Sequence, residues 1–296
     1  MTTGLTLKQR ALIGVLGFFN MFLIPISNRV GMAYQALLVL RMRHILIKPR
    51  PGDIYVASAP KTGTTWMQQI VYQVLTGGRG EFEHIYQVAP DLDGLAFKMF
   101  AKEVMDAMPS PRIMKTHLYY GMVAPPPDSR VIYVTRNAAD AMVSLHHHVG
   151  LVNGFWKPLD AGFIRHSSMV NHWLTHLESW WPHRADPNVL HIRYEDMSAD
   201  LEGNIRKVAR FLGVTLEEDR MGDILEKCSF AYMKKHHERF DARTRLFHSG
   251  AATKMGFIRK GVVGDSRTAL TPEVQTALGE RMGRIRKKLG MGETEV

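Results

Sequence analysis

The chain has 296 residues, 45% hydrophobic and 22% charged, which is ordinary for a globular protein and enough for one large α/β domain. Its single cysteine, Cys228, excludes an intrachain disulfide and any zinc site built from cysteines. A formal net charge of +10 points to anionic partners; with no long basic tract or basic–aromatic repeat, nucleic acid ranks behind a membrane surface and small anionic substrates.

Residues 1–50 differ from the rest. Positions 11–26 are almost wholly apolar, Ser27-Asn28-Arg29 breaks the run, and positions 30–40 form a second one. A spanning helix needs about 20 such residues, and the first run falls short. Three readings compete: a hydrophobic segment over residues 11–40 lying on a membrane, a signal anchor behind Lys8 and Arg10, or helices packed on the domain. No A-x-A-like site follows, which argues against a cleaved signal peptide. If the segment spans, the arginines and lysines at 29, 41, 43, 48 and 50 outnumber those before it and keep the downstream domain in the cytoplasm.

Residues 53–57 (Asp-Ile-Tyr-Val-Ala) predict a short buried strand, 60–63 a tight loop and 64 onward a helix with apolar residues three and four apart. A strand, a glycine-containing loop and a helix gather free backbone N–H groups at the positive end of a helix dipole, an anion site for which phosphate is the usual guest. Lys61 adds a full charge, and Thr62, Thr64 and Thr65 add hydroxyls. Lys61 precedes Gly63, so the loop is not the G-x-x-x-x-G-K-[ST] of nucleotide triphosphatases. Pro60-Lys-Thr-Gly-Thr-Thr-Trp66 resembles instead the 5′-phosphosulfate loop of the sulfotransferases, P-K-[ST]-G-T-T-W, and matches it throughout. The resemblance implies that Lys61 contacts the phosphosulfate bridge, that Thr62, Gly63, Thr64 and Thr65 hold the 5′-phosphate, and that Trp66 stacks on adenine.

Glycines at 77, 78 and 80 end that helix, and residues 81–109 read as a weakly periodic segment walling a crevice, with a helix near 95–108. Residues 111–118 predict a second buried strand ending in Lys115-Thr116-His117. Polar residues at the carboxyl end of a parallel strand face the site of an open α/β sheet, which makes His117 the candidate general base and Lys115 a stabiliser of developing charge. The K-[TS]-H-L context resembles the sulfotransferase catalytic strand.

Residues 130–135 predict a third strand, followed by Arg136-Asn137 and a helix over 138–148. A magnesium-dependent P-loop enzyme ends this strand in Asp; Arg136 suits an anion and no metal. The segment resembles the family's 3′-phosphate motif, [IV]-Y-x-x-R-N-x-x-D-x-x-V-S, which implies that Arg136 and Ser144 bind the 3′-phosphate. Three adjacent histidines, 146–148, point about 100° apart on a helix and cannot share one ion, and the i, i+4 pair His172 and His176 lacks a third ligand; one of the former triplet is a candidate for the acceptor pocket.

Residues 150–162 read as a pocket loop, 163–181 as a helix and 189–194 as a fourth strand. Helices follow over 199–212, closed by Gly213, and over 216–227. Glu195 and Asp196 read as helix N-terminal charges. Tyr194-Glu-Asp-Met resembles the family segment whose Tyr touches the adenosine. Cys228-Ser-Phe230 resembles T-S-F, implying that Phe230 stacks on adenine, with Cys228 at the position of the Thr. Arg259-Lys-Gly261, within F-I-R-K-G-V-V-G-D, resembles the loop whose Arg and Lys clamp the 3′-phosphate while the Gly backbone approaches it. The family's dimer motif, K-x-x-x-T-V-x-x-x-E, is not met, because Pro272 follows Thr271. Residues 272–289 predict a C-terminal helix, and 290–296 a frayed end.

The expected architecture is a single P-loop-like α/β domain over 51–296, with a mainly parallel central sheet flanked by helices, preceded by the apolar segment. The resemblance implies sulfuryl transfer from 3′-phosphoadenosine 5′-phosphosulfate (PAPS) to a hydroxyl or amine of a small, apolar or lipid-like acceptor. Adenosine 3′,5′-bisphosphate is the co-product, and no metal is required. A phosphoryl-transferring P-loop enzyme is the rival, and both its Gly-Lys-Ser/Thr and its metal-binding Asp are missing. A nucleotide binder without activity is a second, against which Lys115 and His117 argue.

Overall fold

The computed structural model describes residues 49–93, 102–153, 158–241, 258, 260–293 and 295–296, with 102–104 and 149–153 described by backbone alone. The apolar stretch 11–40 and Arg259 lie outside the described residues. No described helix is long and apolar enough to cross a membrane.

Four strands form the sheet: β1 (Ile54–Ser58), β2 (Ile113–Thr116), β3 (Arg130–Thr135) and β4 (Val189–Arg193). All pairings are parallel, in the order β2-β1-β3-β4. The chain leaves β1 for one neighbour and returns to the other side, so β1 and β3 flank a topological switch point, where α/β sheets open a crevice at their carboxyl ends. The register places Ala57 beside both Thr116 and Tyr133, which aligns those ends and puts residues 58–63, 117 and 136 on one rim.

Strand periodicity divides the core. Ile54, Val56, Ile132, Val134 and Ile192 face one layer. It is filled by Met67, Ile70, Val71 and Val74 of α1 (Thr64–Leu75) and by Ile205 and Val208 of α8 (Leu201–Leu212). The opposite face carries Tyr133, stacked 5.7 Å from Trp180 and 5.5 Å from His191. At the amino edge Arg112 donates from Nε and Nη2 to Asp53, at 2.9 and 2.6 Å, with both side chains fully buried. This pair staples the entries of β1 and β2.

Between these strands run α2 (Lys102–Ala107), α3 (Tyr120–Val123), α4 (Ala138–Asn153), α5 (Ala161–His166) and α6 (Ser168–Trp180), and α7 (Tyr194–Ala199) follows β4 directly. After α8 come α9 (Met221–Cys228), α10 (Phe230–Lys235), α11 (Ser266–Ala269) and α12 (Pro272–Leu289).

Several expectations change. The expected loop at 150–162 begins later, because α4 continues through Asn153. The helix expected over 163–181 is two helices: Asp160 caps the first by accepting from the Phe163 amide, and Ser167 turns extended at φ −67°, ψ 128° and starts the second. As expected, Glu195 and Asp196 occupy the first turn of α7, where carboxylates favour the dipole. The carboxyl-terminal residues do not simply fray. Val296 is buried, and Arg286 donates to its carbonyl oxygen at 2.8 Å.

Candidate active site

A cleft of about 330 Å³ opens at the carboxyl rim of β1, β2 and β3. Its floor is the loop from β1 into α1. Lys61 has φ 66° and Gly63 φ 99°, two left-handed residues that turn the chain sharply into the helix. No side chain caps α1 and its first turn has no acid, so its amino end presents backbone amides to the cleft. Lys61, Gly63, Thr64, Thr65 and Trp66 all line that space. Thr62 does not: its hydroxyl donates to the Ala59 carbonyl at 2.7 Å and braces the loop. Thr64 shares a 2.5 Å hydrogen bond with Ser58.

Arg136 enters from the end of β3. It donates to the carbonyls of Lys61 and Val262, at 3.3 and 3.4 Å, and its guanidinium lies 4.2 Å over the Tyr194 ring. Its Nε is buried with no hydrogen-bond partner, an unsatisfied donor on the wall of a cleft rich in cations. Ser144, two turns along α4, lines the same space. Tyr194 packs edge-on against Trp66 at 5.4 Å, and Trp66 is fixed by donating from its indole to the Cys228 carbonyl at 2.7 Å. The Cys228 side chain is fully buried and absent from the wall, and its backbone carbonyl is the Trp66 anchor. Phe230, Lys260 and Gly261 close the far wall. Gly261 has φ 64°, and a Cβ there would run into the Phe230 ring, so only glycine lets the loop approach. Asp140 secures that loop, accepting from the amides of Gly264 and Ser266 at 2.6 and 2.9 Å.

His117 and Lys115 stand at the end of β2. The His117 Nδ1 lies 2.6 Å from the Ser58 carbonyl oxygen. A carbonyl only accepts, so Nδ1 carries the proton and the neutral ring keeps its lone pair on Nε2. Burial, and then the nearby Lys115 charge, hold the imidazole well below its usual pKa, partly opposed by the Ser58 hydrogen bond. His172 of α6 hydrogen-bonds the His117 backbone, and its Nδ1 lies 3.0 Å from the Tyr119 hydroxyl. His176, one turn on, is fully buried and stacks on Trp180. Among the described residues no cluster of histidines and acids could hold a metal ion.

The reading from sequence missed Asp91, whose carboxylate meets the Lys115 ammonium at 2.5 Å within the cleft wall. Burial works against charge on Lys115, but Asp91, Tyr86 and Asp93 outweigh it and raise its pKa. Asp93 accepts from the Thr116 hydroxyl and the His117 amide, both at 2.9 Å, and burial followed by the Asp91 charge pushes its carboxyl up to about 7. The only signal was Asp-Leu-Asp after Pro90, in a segment without periodicity. Met169 was also missed, and His148 is the member of the histidine triplet that reaches the cleft.

Such a site binds an elongated anion: amides and cations at one end, aromatic walls between, and an imidazole with a free lone pair beside two lysines. The unpartnered Arg136 Nε and the close approach of Gly261 both fit a nucleotide carrying phosphates.

Comparison with known proteins agrees. The sulfotransferase domain family matches residues 51–290. Mouse sulfotransferase 1B1 is 32% identical over 242 residues, covering 75% of this chain and 78% of that protein. Human sulfotransferase 1C2 is 30% identical over 260 residues, covering 81% and 83%. Among solved structures, mouse sulfotransferase SULT7A1 complexed with PAP aligns with a TM-score of 0.64 and 25% identity, covering 86% of this chain and 90% of that one. Retinol dehydratase, solved with androsterone and the inactive cofactor PAP, aligns at 0.72 and 22% identity over 88% of each chain, and shows the shared fold. With its parallel sheet, its phosphosulfate-type loop and its family match, the chain belongs to the sulfotransferase domain family and is a PAPS-dependent sulfotransferase.

Proposed function

We propose that this enzyme sulfates a hydroxyl (or amine) of a small apolar acceptor, with His117 as general base. The donor supplies the sulfuryl group, whose bond to the bridging oxygen breaks as the acceptor atom bonds to sulfur. His117 takes the acceptor proton on Nε2. Lys61 and Lys115 stabilise the negative charge that grows on the bridging and sulfuryl oxygens. The α1 amino end, with Gly63, Thr64 and Thr65, holds the 5′-phosphate; Arg136, Ser144, Arg259, Lys260 and the Gly261 backbone hold the 3′-phosphate. Trp66 and Phe230 flank the adenine, with Tyr194 at its adenosine.

The observation that carries this reading is the His117 tautomer. Its Nδ1 is committed to Ser58, which leaves Nε2 as a neutral base in the cleft that Lys61 and Lys115 line. The depressed pKa keeps that base unprotonated at neutral pH. Support for an apolar acceptor comes from Met169 and Ile258 in the cleft wall. In His117→Ala, kcat falls by at least about 100-fold while adenosine 3′,5′-bisphosphate binds within about threefold of wild type. A variant that keeps its rate overturns the assignment of the base.

The reading of residues 11–40 as a membrane-resting segment, with the catalytic domain in the cytoplasm, draws its support from their apolar composition. It predicts sedimentation with lipid vesicles that is lost on deleting residues 1–48. Equal sedimentation of the two forms refutes it.

A further inference from the structure

Lys115 is 7% exposed, and an ammonium so enclosed holds its charge only beside a compensating one. The groups that face it are Asp91, Asp93, Tyr86 and His117. Asp91 alone among them makes a direct ion pair. The backbone enforces that meeting: the Lys115 amide donates to the Pro90 carbonyl at 2.9 Å, so residue 91 runs parallel beside β2. The Asp91 carboxylate is braced in turn, by the Tyr86 hydroxyl at 3.3 Å and the Asp93 amide at 3.0 Å. We propose that Asp91 is a positioning residue for sulfuryl transfer, its carboxylate holding the Lys115 ammonium charged and in place beside His117. The inference rests on the role given to Lys115 above.

The physical reason lies in what is left when the carboxylate goes. A buried ammonium without its partner sheds its proton or swings toward water, and either event removes it from the reacting oxygens. Asp93 adds charge nearby but makes no ion pair with Lys115. Its two oxygens already accept from Thr116 and the His117 amide, which locks the end of β2 but leaves Lys115 to Asp91.

The test is a double-mutant cycle with Asp91→Asn, Lys115→Met and the double variant. It measures kcat and donor KM from pH 7 to 10, with adenosine 3′,5′-bisphosphate titrations as the check on folding. Asp91→Asn should lower kcat about 10- to 100-fold with bisphosphate affinity within about threefold, and should bring an alkaline limb into this range as Lys115 loses its proton. Adding Asp91→Asn to Lys115→Met should cost less than about threefold further, because the group being positioned is already gone. A purely structural Asp91 gives no new alkaline limb and multiplies the two losses, and that result overturns the proposal. Full activity in Lys115→Met strikes the lysine's role itself and this inference with it; impaired Lys115→Met beside an unaffected Asp91→Asn strikes positioning alone. Should Asp91→Asn fail to fold, the double variant, which buries neither charge, still decides the matter by its rate relative to Lys115→Met.

Discussion

Gly63→Ala puts the geometry of the phosphate loop to a quantitative test. Gly63 has φ 99°, a region that costs an L-residue about 1–2 kcal/mol. A Cβ there would also lie 2.7 Å from Cδ2 of Tyr194, well inside an ordinary carbon–carbon contact of about 3.5–4.0 Å. Tyr194 cannot yield cheaply. It is 6% exposed, packs on Trp66 and carries the Arg136 guanidinium over its ring. Losing that cation–π contact adds about 0.5–1 kcal/mol, for a total of about 1.5–3 kcal/mol. If the variant loop keeps its shape, the cost falls on stability. If it relaxes, the loss appears in binding instead, and affinity for adenosine 3′,5′-bisphosphate drops by up to about 10- to 150-fold. Calorimetric titration and denaturant unfolding of the free protein therefore measure two parts of one sum. A combined loss below about 1 kcal/mol refutes the reasoning, because it would mean that the left-handed turn and the Tyr194 contact are not needed.

Two further predictions concern the fold and its pH dependence. Replacing Arg112 by Ala strands Asp53 as a buried unpaired carboxylate and should cost about 3–5 kcal/mol in urea unfolding; a loss under 1 kcal/mol would show that the pair is not dry. Stability should fall on acidification from about pH 6.5. Burial depresses the pKa of His117, His172 and His176, and that of His191 to about 4, so unfolding takes up protons there, while Asp93, raised to about 7, acts in the opposite sense. Stability held by these histidines is present above their unfolded pKa near 6.5 and lost as pH falls toward the depressed values. The depressed histidines outnumber the opposing carboxyl, so stability should fall as the pH drops, and a flat profile from pH 6.5 to 5 would contradict it.

What could be read from the chain was whatever local bonding makes. Residues 53–75 and 130–148 each carry strand, loop and helix within one contiguous run, and the structure reproduces the order and the starts of these elements, because backbone hydrogen bonds and side-chain periodicity act over a few positions. The turn between β1 and α1 was legible for the same reason. Helix boundaries that hinge on a single cap were less so, as the break at Ser167 shows.

Tertiary structure alone decided which of these groups share a space and which are spent elsewhere. The Thr62 hydroxyl braces its own loop, and the Cys228 thiol faces the core while its carbonyl holds Trp66. Asp91 meets Lys115 across 24 positions, through a pairing between an aperiodic segment and the edge of β2. No pattern along the chain marks such a pair, because its energy comes from burying two charges against one another, and burial belongs to the assembled fold. Sequence thus determined the parts that hydrogen-bond to their near neighbours; packing determined the charge state and the company of the groups set among them.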